Sequence, residues 1–316
     1  MPRDGHGPAG HAVTGAGQGG VRIGAVVLPE HPWPEAREIW RELEDLGLDH
    51  AWCFDHHSWR TLRDGPWYDA LGVLSAVAAV TGRIRLGTMV STPNFRHPAV
   101  VAKQVMTIDE LSAGRFVFGL GAGAPGGDES LLGTEPLTPR RRADRFAEFV
   151  DLSDDLLRHR STTRRGEYFS AVEARMVPGC VQQPRVPFAI AAAGPRGMRL
   201  AARHGQWWVT IGDAGRPGEQ SEEEAWRVLA RQVVSLAEAC EETGRPFSDI
   251  GRLVNVSRVV NSPYSSPERF VDVVGRCREI GFTDVVMNHP RSDGVFRGNR
   301  PSFLRAASSA LSAFAP

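Results

Sequence analysis

The stretch Arg83–Gly123, RIRLGTMVSTPNFRHPAVVAKQVMTIDELSAGRFVFGLGAG, decides the fold. Arg83–Val90 is short and rich in apolar and β-branched residues, the composition of a strand buried on both faces. Pro98 stands where a helix tolerates a missing N–H, and Ala99–Leu111 carries apolar residues at helical spacing. Ser112-Ala113-Gly114 stops that helix, and Phe116–Leu120 reads as the next buried strand. A crossover of this length makes the two strands parallel neighbours.

The same alternation runs the length of the chain. Val21–Leu28 and Asp49–Phe54 read as the first two strands, with helices over Pro34–Leu46 and Trp67–Val80. After the fourth strand comes a long helix, Pro139–His159. The fifth strand is Pro187–Ala193 with a short helix at Arg196–His204. The sixth is Gln206–Ile211, with a helix from Glu222 to Thr243. Leu253–Val260 with Pro267–Ile280, and Thr283–Asn288 with Phe303–Phe314, complete eight strand–helix pairs. Eight such pairs in one chain predict a closed α/β barrel, the (β/α)8 or TIM type, over an open sheet. Arg160–Gln183 and Ile211–Glu224 are too long for ordinary connections and read as lids or binding segments.

The totals set the class of partner. The 316 residues carry 37 basic and 37 acidic side chains, so charge gives no reason to expect nucleic acid or an anionic membrane. No apolar run approaches the roughly 20 residues that span a bilayer. Cys53, Cys180, Cys240 and Cys277 lack metal-site spacing and read as reduced thiols. Residues 1–20, glycine-rich and without an apolar centre, read as a disordered tail before a single domain over 21–316. His6 and His11 lie in that tail and carry no metal role. A cytoplasmic enzyme acting on a small molecule is the expectation.

In such barrels the active site lies at the carboxyl ends of the strands. The second strand runs into Asp55-His56-His57-Ser58-Trp59, the most polar and aromatic of these ends. A histidine there suits an acid, a base or a hydrogen-bond donor. Two histidines without a third ligand do not make a zinc site. The third strand ends Met89-Val90-Ser91-Thr92, a candidate apolar platform with a hydroxyl beside it. The fourth ends Gly119-Leu120-Gly121-Ala122-Gly123, where small residues permit close backbone approach. Its spacing is not a dinucleotide fingerprint. The fifth gives Ala193-Gly194-Pro195-Arg196-Gly197-Met198, which opens a helix and suits either a phosphate or a plain cap. The eighth ends Asn288-His289-Pro290-Arg291. Arg140, Arg141, Arg142 and Arg145 read as a solvated helix face paired with Asp144 and Glu148.

Taken together, these residues resemble the bacterial luciferase-like family of flavin- and deazaflavin-dependent oxidoreductases. The resemblance covers most of Val21–Ala315 and is strongest in RHPAVVAKQVMTIDELSAGRFVFGLGAG, Arg96–Gly123. It implies a luciferase-like (β/α)8 barrel with an insertion, matched by Arg160–Gln183 or the loops after it. Members using coenzyme F420 carry Asp-His after the second strand, as Asp55-His56 does. The resemblance therefore implies Asp55, Met89, Val90, Thr92, Ala122 and Ala193–Met198 at the cofactor, with His56 catalytic. It places a non-proline cis peptide at Met89-Val90 against the back of the ring, and leaves room at Gly121–Gly123 for the ring's far edge. His57, Trp59, Trp67 and His289 are candidate substrate contacts. The sugar-phosphate dehydrogenases of that branch have an acidic proton donor where this chain has Ala124, and Asp128 and Glu129 are not at the matching position. Glucose 6-phosphate is accordingly not the expected substrate, and His56 is expected to act without that carboxylate.

F420-dependent hydride transfer leads the functional readings. The alternatives are an FMN-dependent monooxygenase fed by a separate flavin reductase, and a non-catalytic flavin-binding protein on the same fold. A homodimer is expected from the resemblance.

Overall fold

The computed structural model describes residues 20–213 and 221–315. The N-terminal tail with His6 and His11, and the centre of Ile211–Glu224, lie outside the described residues. Eight parallel strands close a barrel: β1 (Arg22–Val27), β2 (His50–Cys53), β3 (Arg85–Thr88), β4 (Phe116–Leu120), β7 (Phe188–Ala191), β8 (Trp207–Thr210), β9 (Gly251–Asn255) and β10 (Asp284–Asn288). Hydrogen-bonded neighbours follow that order, and β10 returns to β1 with Arg22 opposite Asp284. β5 (Ser161–Arg165) and β6 (Ser170–Arg175) form an antiparallel hairpin outside the barrel.

The helices are α1 (Trp33–Asp45), α2 (Ala70–Val80), α3 (Pro98–Leu111), α4 (Gly127–Ser130), α5 (Pro139–Arg158), α6 (Pro195–His204), α7 (Glu222–Glu242), α8 (Pro267–Ile280) and α9 (Arg300–Phe314). Prolines occupy the first turn of six of them, α1, α3, α5, α6, α8 and α9, where the absent N–H costs nothing. Side-chain caps set several starts. Asp69 accepts from Gly72 N at 2.8 Å, so α2 begins after Asp69 rather than at Trp67. Asn299 accepts from Ser302 N at 3.0 Å and starts α9 one turn before Phe303. At Asn255 the side-chain oxygen accepts from Ser257 N at 3.1 Å, which turns the chain into a 3-10 helix (Val256–Arg258). The strand expected over Leu253–Val260 therefore ends at Asn255.

Strand side chains alternate between two cores. One set faces outward under the helices, where Ile23, Trp40, Phe116, Phe149, Phe188 and Phe303 are among the fully enclosed residues. The other fills the lumen with Val26, Trp52, Met89, Val117, Ala189, Trp207, Leu253 and Val286. The barrel lumen is thus a packed core. At the opposite end buried Asp284 is closed by a bidentate Arg22 (2.6 and 2.7 Å) and by His50 at 3.3 Å. This pairing holds the Asp284 carboxyl well below the usual range despite its burial.

The long segment Arg160–Gln183 is not a structureless loop. Its hairpin turn is held by Glu148 of α5, which accepts from the amides of Glu167 and Tyr168 (both 3.0 Å) and Phe169 (2.6 Å). Glu148 therefore serves the hairpin and not the arginine face.

Candidate active site

The end of β3 shapes the barrel mouth. After Gly87 the regular β3–β4 ladder stops. The Thr88 hydroxyl fills the gap, accepting from Gly119 N at 3.0 Å and donating to Gly119 O at 2.9 Å. Pairing resumes where Ser91 N donates to Gly119 O (2.8 Å) and Gly121 N donates to Ser91 O (2.9 Å). Between these points the chain bulges, the Met89–Val90 peptide is cis, and both side chains join the lumen cluster. The glycines of β4 make this fit. A Cβ on Gly119 would overlap Thr88 O, and one on Gly121 would overlap Val90 Cγ2. At Gly123, which has φ +77°, a Cβ would stand 2.6 Å from Asn94 Nδ2. The space expected at Gly121–Gly123 for a ring edge is filled by Val90 and Asn94. Ala122 between them is half-buried against the outer core.

Asp55 is corrected from a cofactor contact to an internal anchor. It has no exposed surface, and its oxygens accept from Arg96 (2.6 and 3.2 Å) and Ser91 (2.5 Å). Arg96 also donates to Asp69 at 2.5 Å, so the loops after β2 and β3 are tied through one guanidinium. Thr92 is buried nearby, and its hydroxyl oxygen lies 3.4 Å from Asn94 N as acceptor while keeping its own proton to donate.

His56 lies one strand period beyond Phe54, on the lumen side, with its side chain 28% exposed. Its Nδ1 is 2.7 Å from Asp128 Oδ2. Asp128 is nearly enclosed, and its other oxygen accepts from the amides of His57 (3.2 Å) and Ser58 (3.4 Å). Trp67 Nε1 donates to His56 O at 2.8 Å and pins the backbone. The position of the sugar-phosphate dehydrogenases' acid is held by Ala124, but a different carboxylate supports His56: Asp128 reaches its Nδ1 from the single turn α4, carried there by the Gly126-Gly127 approach. Asp128 lies four residues beyond Ala124 in the sequence. The signal in the sequence was the glycine-containing, acidic Pro125-Gly126-Gly127-Asp128-Glu129 run beyond a strand end.

Glu129 is buried too, 3.7 Å from Arg142. Arg145 donates to Asn94 Oδ1 at 2.5 Å and is 9% exposed. These two arginines hold the loops after β3 and β4 onto α5, so the face predicted to be solvated is partly an internal contact. Asp144 pairs with Arg196.

The segment Ala193–Met198 forms the start of α6. Ala193, Gly194, Pro195 and Arg196 are exposed, and nothing lies within 4 Å of a Cβ placed on Gly194. The first turn leaves amides without intrahelical partners and the positive end of the helix dipole facing this space. Gly197 is needed for packing, since a Cβ would stand 2.9 Å from Ala192 Cβ. Met198 is fully enclosed and its amide donates to Gly194 O at 3.0 Å, so its place at a ligand is corrected to a core residue.

The aromatic residues form a wall beside His56. Trp59 stacks between Phe296 (5.8 Å) and Trp67 (6.5 Å), and its ring centre is 6.4 Å from that of His56. Trp59 is 7% exposed. The His57 ring is exposed and only its backbone serves the site. His289 is corrected as well. Strand alternation turns it outward, edge-on to Phe303 of α9 (5.4 Å) and His31 (6.3 Å). Burial pushes its pKa down to about 4, as suits a neutral core histidine. Among the described residues no three His, Cys, Asp or Glu side chains converge as a metal set, and no helix is long and apolar enough to cross a membrane.

Known proteins share this architecture and resemble the sequence. The profile of the luciferase-like monooxygenase family matches residues 11–270. The chain is 32% identical over 237 residues to 4-hydroxyprotoasukamycin monooxygenase of Streptomyces nodosus subsp. asukaensis, covering 71% of this chain and 60% of that protein. It is 33% identical over 218 residues to F420-dependent glucose-6-phosphate dehydrogenase of Amycolatopsis mediterranei (strain U-32), covering 67% and 61%. The chain thus spans about three fifths of the length of these curated relatives. Among solved structures, an F420-dependent secondary alcohol dehydrogenase in complex with an F420-acetone adduct superposes with a TM-score of 0.77 at 18% identity, covering 93% of this chain and 99% of that one.

Proposed function

The chain belongs to the luciferase-like monooxygenase family, and from that premise we propose that it is a deazaflavin-dependent oxidoreductase, moving a hydride between coenzyme F420 and a small organic substrate at the barrel mouth. The observation that carries this reading is the His56–Asp128 pair at 2.7 Å, set in the lumen mouth beside the Met89–Val90 bulge. Several relatives named as F420-dependent support the choice of cofactor.

The residues fit such a group. Met89 and Val90 would support the ring, and the amides of Arg196 and Gly197 with the open space at Gly194 would receive the phosphate. Bound there, F420 supplies a ring carbon that accepts or gives a hydride. The chain's own part is proton transfer. With Asp128 ionised, His56 Nδ1 carries a hydrogen and Nε2 is the free nitrogen of the ring. Nε2 takes the proton of a substrate hydroxyl as hydride leaves the adjacent carbon, and the buried carboxylate offsets the imidazolium charge. In the reverse direction the imidazolium returns that proton to a carbonyl oxygen. The lumen wall of Trp59, Phe54 and Phe296 excludes water from this exchange.

One finding favours a second reading. The match to 4-hydroxyprotoasukamycin monooxygenase fits an enzyme using reduced FMN from a separate reductase to insert oxygen. The two are separated by supplying oxidised F420 with a panel of small alcohols and, separately, reduced FMN with oxygen. Reduction of F420 that is lost in His56→Ala supports the proposal. Oxygen uptake coupled to product with FMN, and no F420 turnover, would overturn it. A cytoplasmic homodimer belongs to the same proposal, and sedimentation of the full chain tests the pairing.

A further inference from the structure

A sizeable cavity lies on the side of the mouth opposite Met89–Val90. It encloses about 580 Å³ between the loop after β9 and the loop after β10. Its walls include Ser257, Arg258, Tyr264, Phe296, Arg297 and Glu222. The charge balance of this lining is lopsided. Among the described residues Glu222 is the only carboxylate of the lining, and Arg269 pairs with it at 2.6 and 2.7 Å. Neither Arg258 nor Arg297 pairs with a carboxylate among the described residues, and neither spends a guanidinium N–H on any acceptor there.

Arg258 is the more telling of the two. It is half-buried, with its guanidinium carbon 5.9 Å from the ring centres of both Trp59 and Phe296. Burial, and secondarily the like charge of Arg60, lowers its pKa from the ordinary value. A guanidinium presents five N–H donors in a fixed fork that matches carboxylate and phosphate oxygens. Contacts to ring faces satisfy none of those donors directionally. Most other partly buried arginines of this chain are hydrogen-bonded: Arg22, Arg96, Arg115, Arg185, Arg245 and Arg252 all donate to carboxylates or carbonyls. Arg258 departs from this pattern, as does Arg85 in β3, and of these two it is Arg258 that lines the cavity. Trp59 joins the two halves of the mouth, its ring 6.4 Å from that of His56 on one side and 5.9 Å from the Arg258 guanidinium on the other.

We propose that this cavity seats the oxyanion end, carboxylate or phosphate, of a substrate with a flat apolar body, and that Arg258 is the residue that binds it. Arg297 supplies a second cation from the facing loop, and the edge of the Trp59–Phe296 stack receives the apolar body. The proposal rests on the reading of the mouth as the reaction site, and it narrows the substrate class to organic anions.

The test is calorimetric titration of the full chain, without cofactor, using benzoate, phenyl phosphate and neutral benzyl alcohol. Both anions are expected to bind roughly tenfold or more tightly than the alcohol, since hydrogen bonds to charged groups dominate such sites. Arg258→Met should weaken the anions by roughly tenfold or more and leave benzyl alcohol unchanged, while Arg258→Lys restores part of the loss. Binding of one anion and not the other would assign the headgroup and still support the site. Equal binding of anions and alcohol, or unchanged affinity in Arg258→Met for whichever anion the parent binds, would overturn the proposal. A parallel F420 titration keeps the two claims apart. Arg258-dependent anion binding without F420 binding would sink the cofactor reading alone.

Discussion

Asp128→Asn isolates the chemistry of the His56 pair with little change of shape. In the parent protein Asp128 Oδ2 faces His56 Nδ1 at 2.7 Å, while Oδ1 accepts from the amides of His57 and Ser58. An asparagine keeps its oxygen on those two amides, which accept no substitute, and so turns its NH2 group toward His56. Nδ1 must then accept, and the ring hydrogen moves to Nε2. The substitution removes a charge-assisted hydrogen bond, a loss of about 1.5–3 kcal/mol. Carried into the transition state, the same loss slows turnover by roughly 10- to 150-fold. Long-range 15N–1H correlation of the histidine rings reads the tautomer directly, with hydrogen on Nδ1 in the parent and on Nε2 in the variant. Thermal unfolding should show a drop of a few degrees at most, about 2–5 °C. An unchanged tautomer, or turnover within twofold of the parent, would refute the role given to Asp128.

Gly121→Ala forces a methyl group into Val90, so overpacking should cost about 1–3 kcal/mol in urea unfolding and weaken F420 binding. Parent-like stability and affinity would show that the bulge has slack. Arg96→Met leaves the fully buried Asp55 with Ser91 alone, and a loss of about 3–5 kcal/mol is expected in the same assay. His204 provides a pH signature. Its pKa is raised to about 9, first by its hydrogen bond to Asp151 and then by Asp154. A raised folded-state value gives stability that is complete below the unfolded value of about 6.5 and lost as pH rises through the folded one. His204→Gln should therefore destabilise by about 2–3 kcal/mol near pH 6 and converge with the parent above about pH 9, as urea unfolding at both pH values would show.

The barrel was legible because its signal is periodic and repeated. Arg83–Gly123 alone reveals a parallel strand–helix–strand unit, and eight such alternations leave few closed arrangements. Departures came where side chains override composition. Asn255 ends a strand that apolar content would extend to Val260, and Glu148 organises a hairpin in a segment whose sequence looks like loop. The site was legible only in outline. His56 follows from a strand end, the cis peptide at Met89–Val90 from the family resemblance, and His289 fails because one residue of alternation turns it to the outer face. Asp128 could not be placed, since a four-residue offset from the expected acid is bridged by two glycines whose path no periodicity predicts. Arg258 was hidden within an overextended strand, and its missing partner is a three-dimensional property.

Cofactor identity is the hinge of the account, and the tryptophans beside His56 report on it. Titration of the purified chain with F420 and with FMN, following quenching of tryptophan fluorescence, tests it directly. Saturable F420 binding that greatly exceeds FMN binding is the predicted result. Tight FMN binding with no response to F420 would contradict the account.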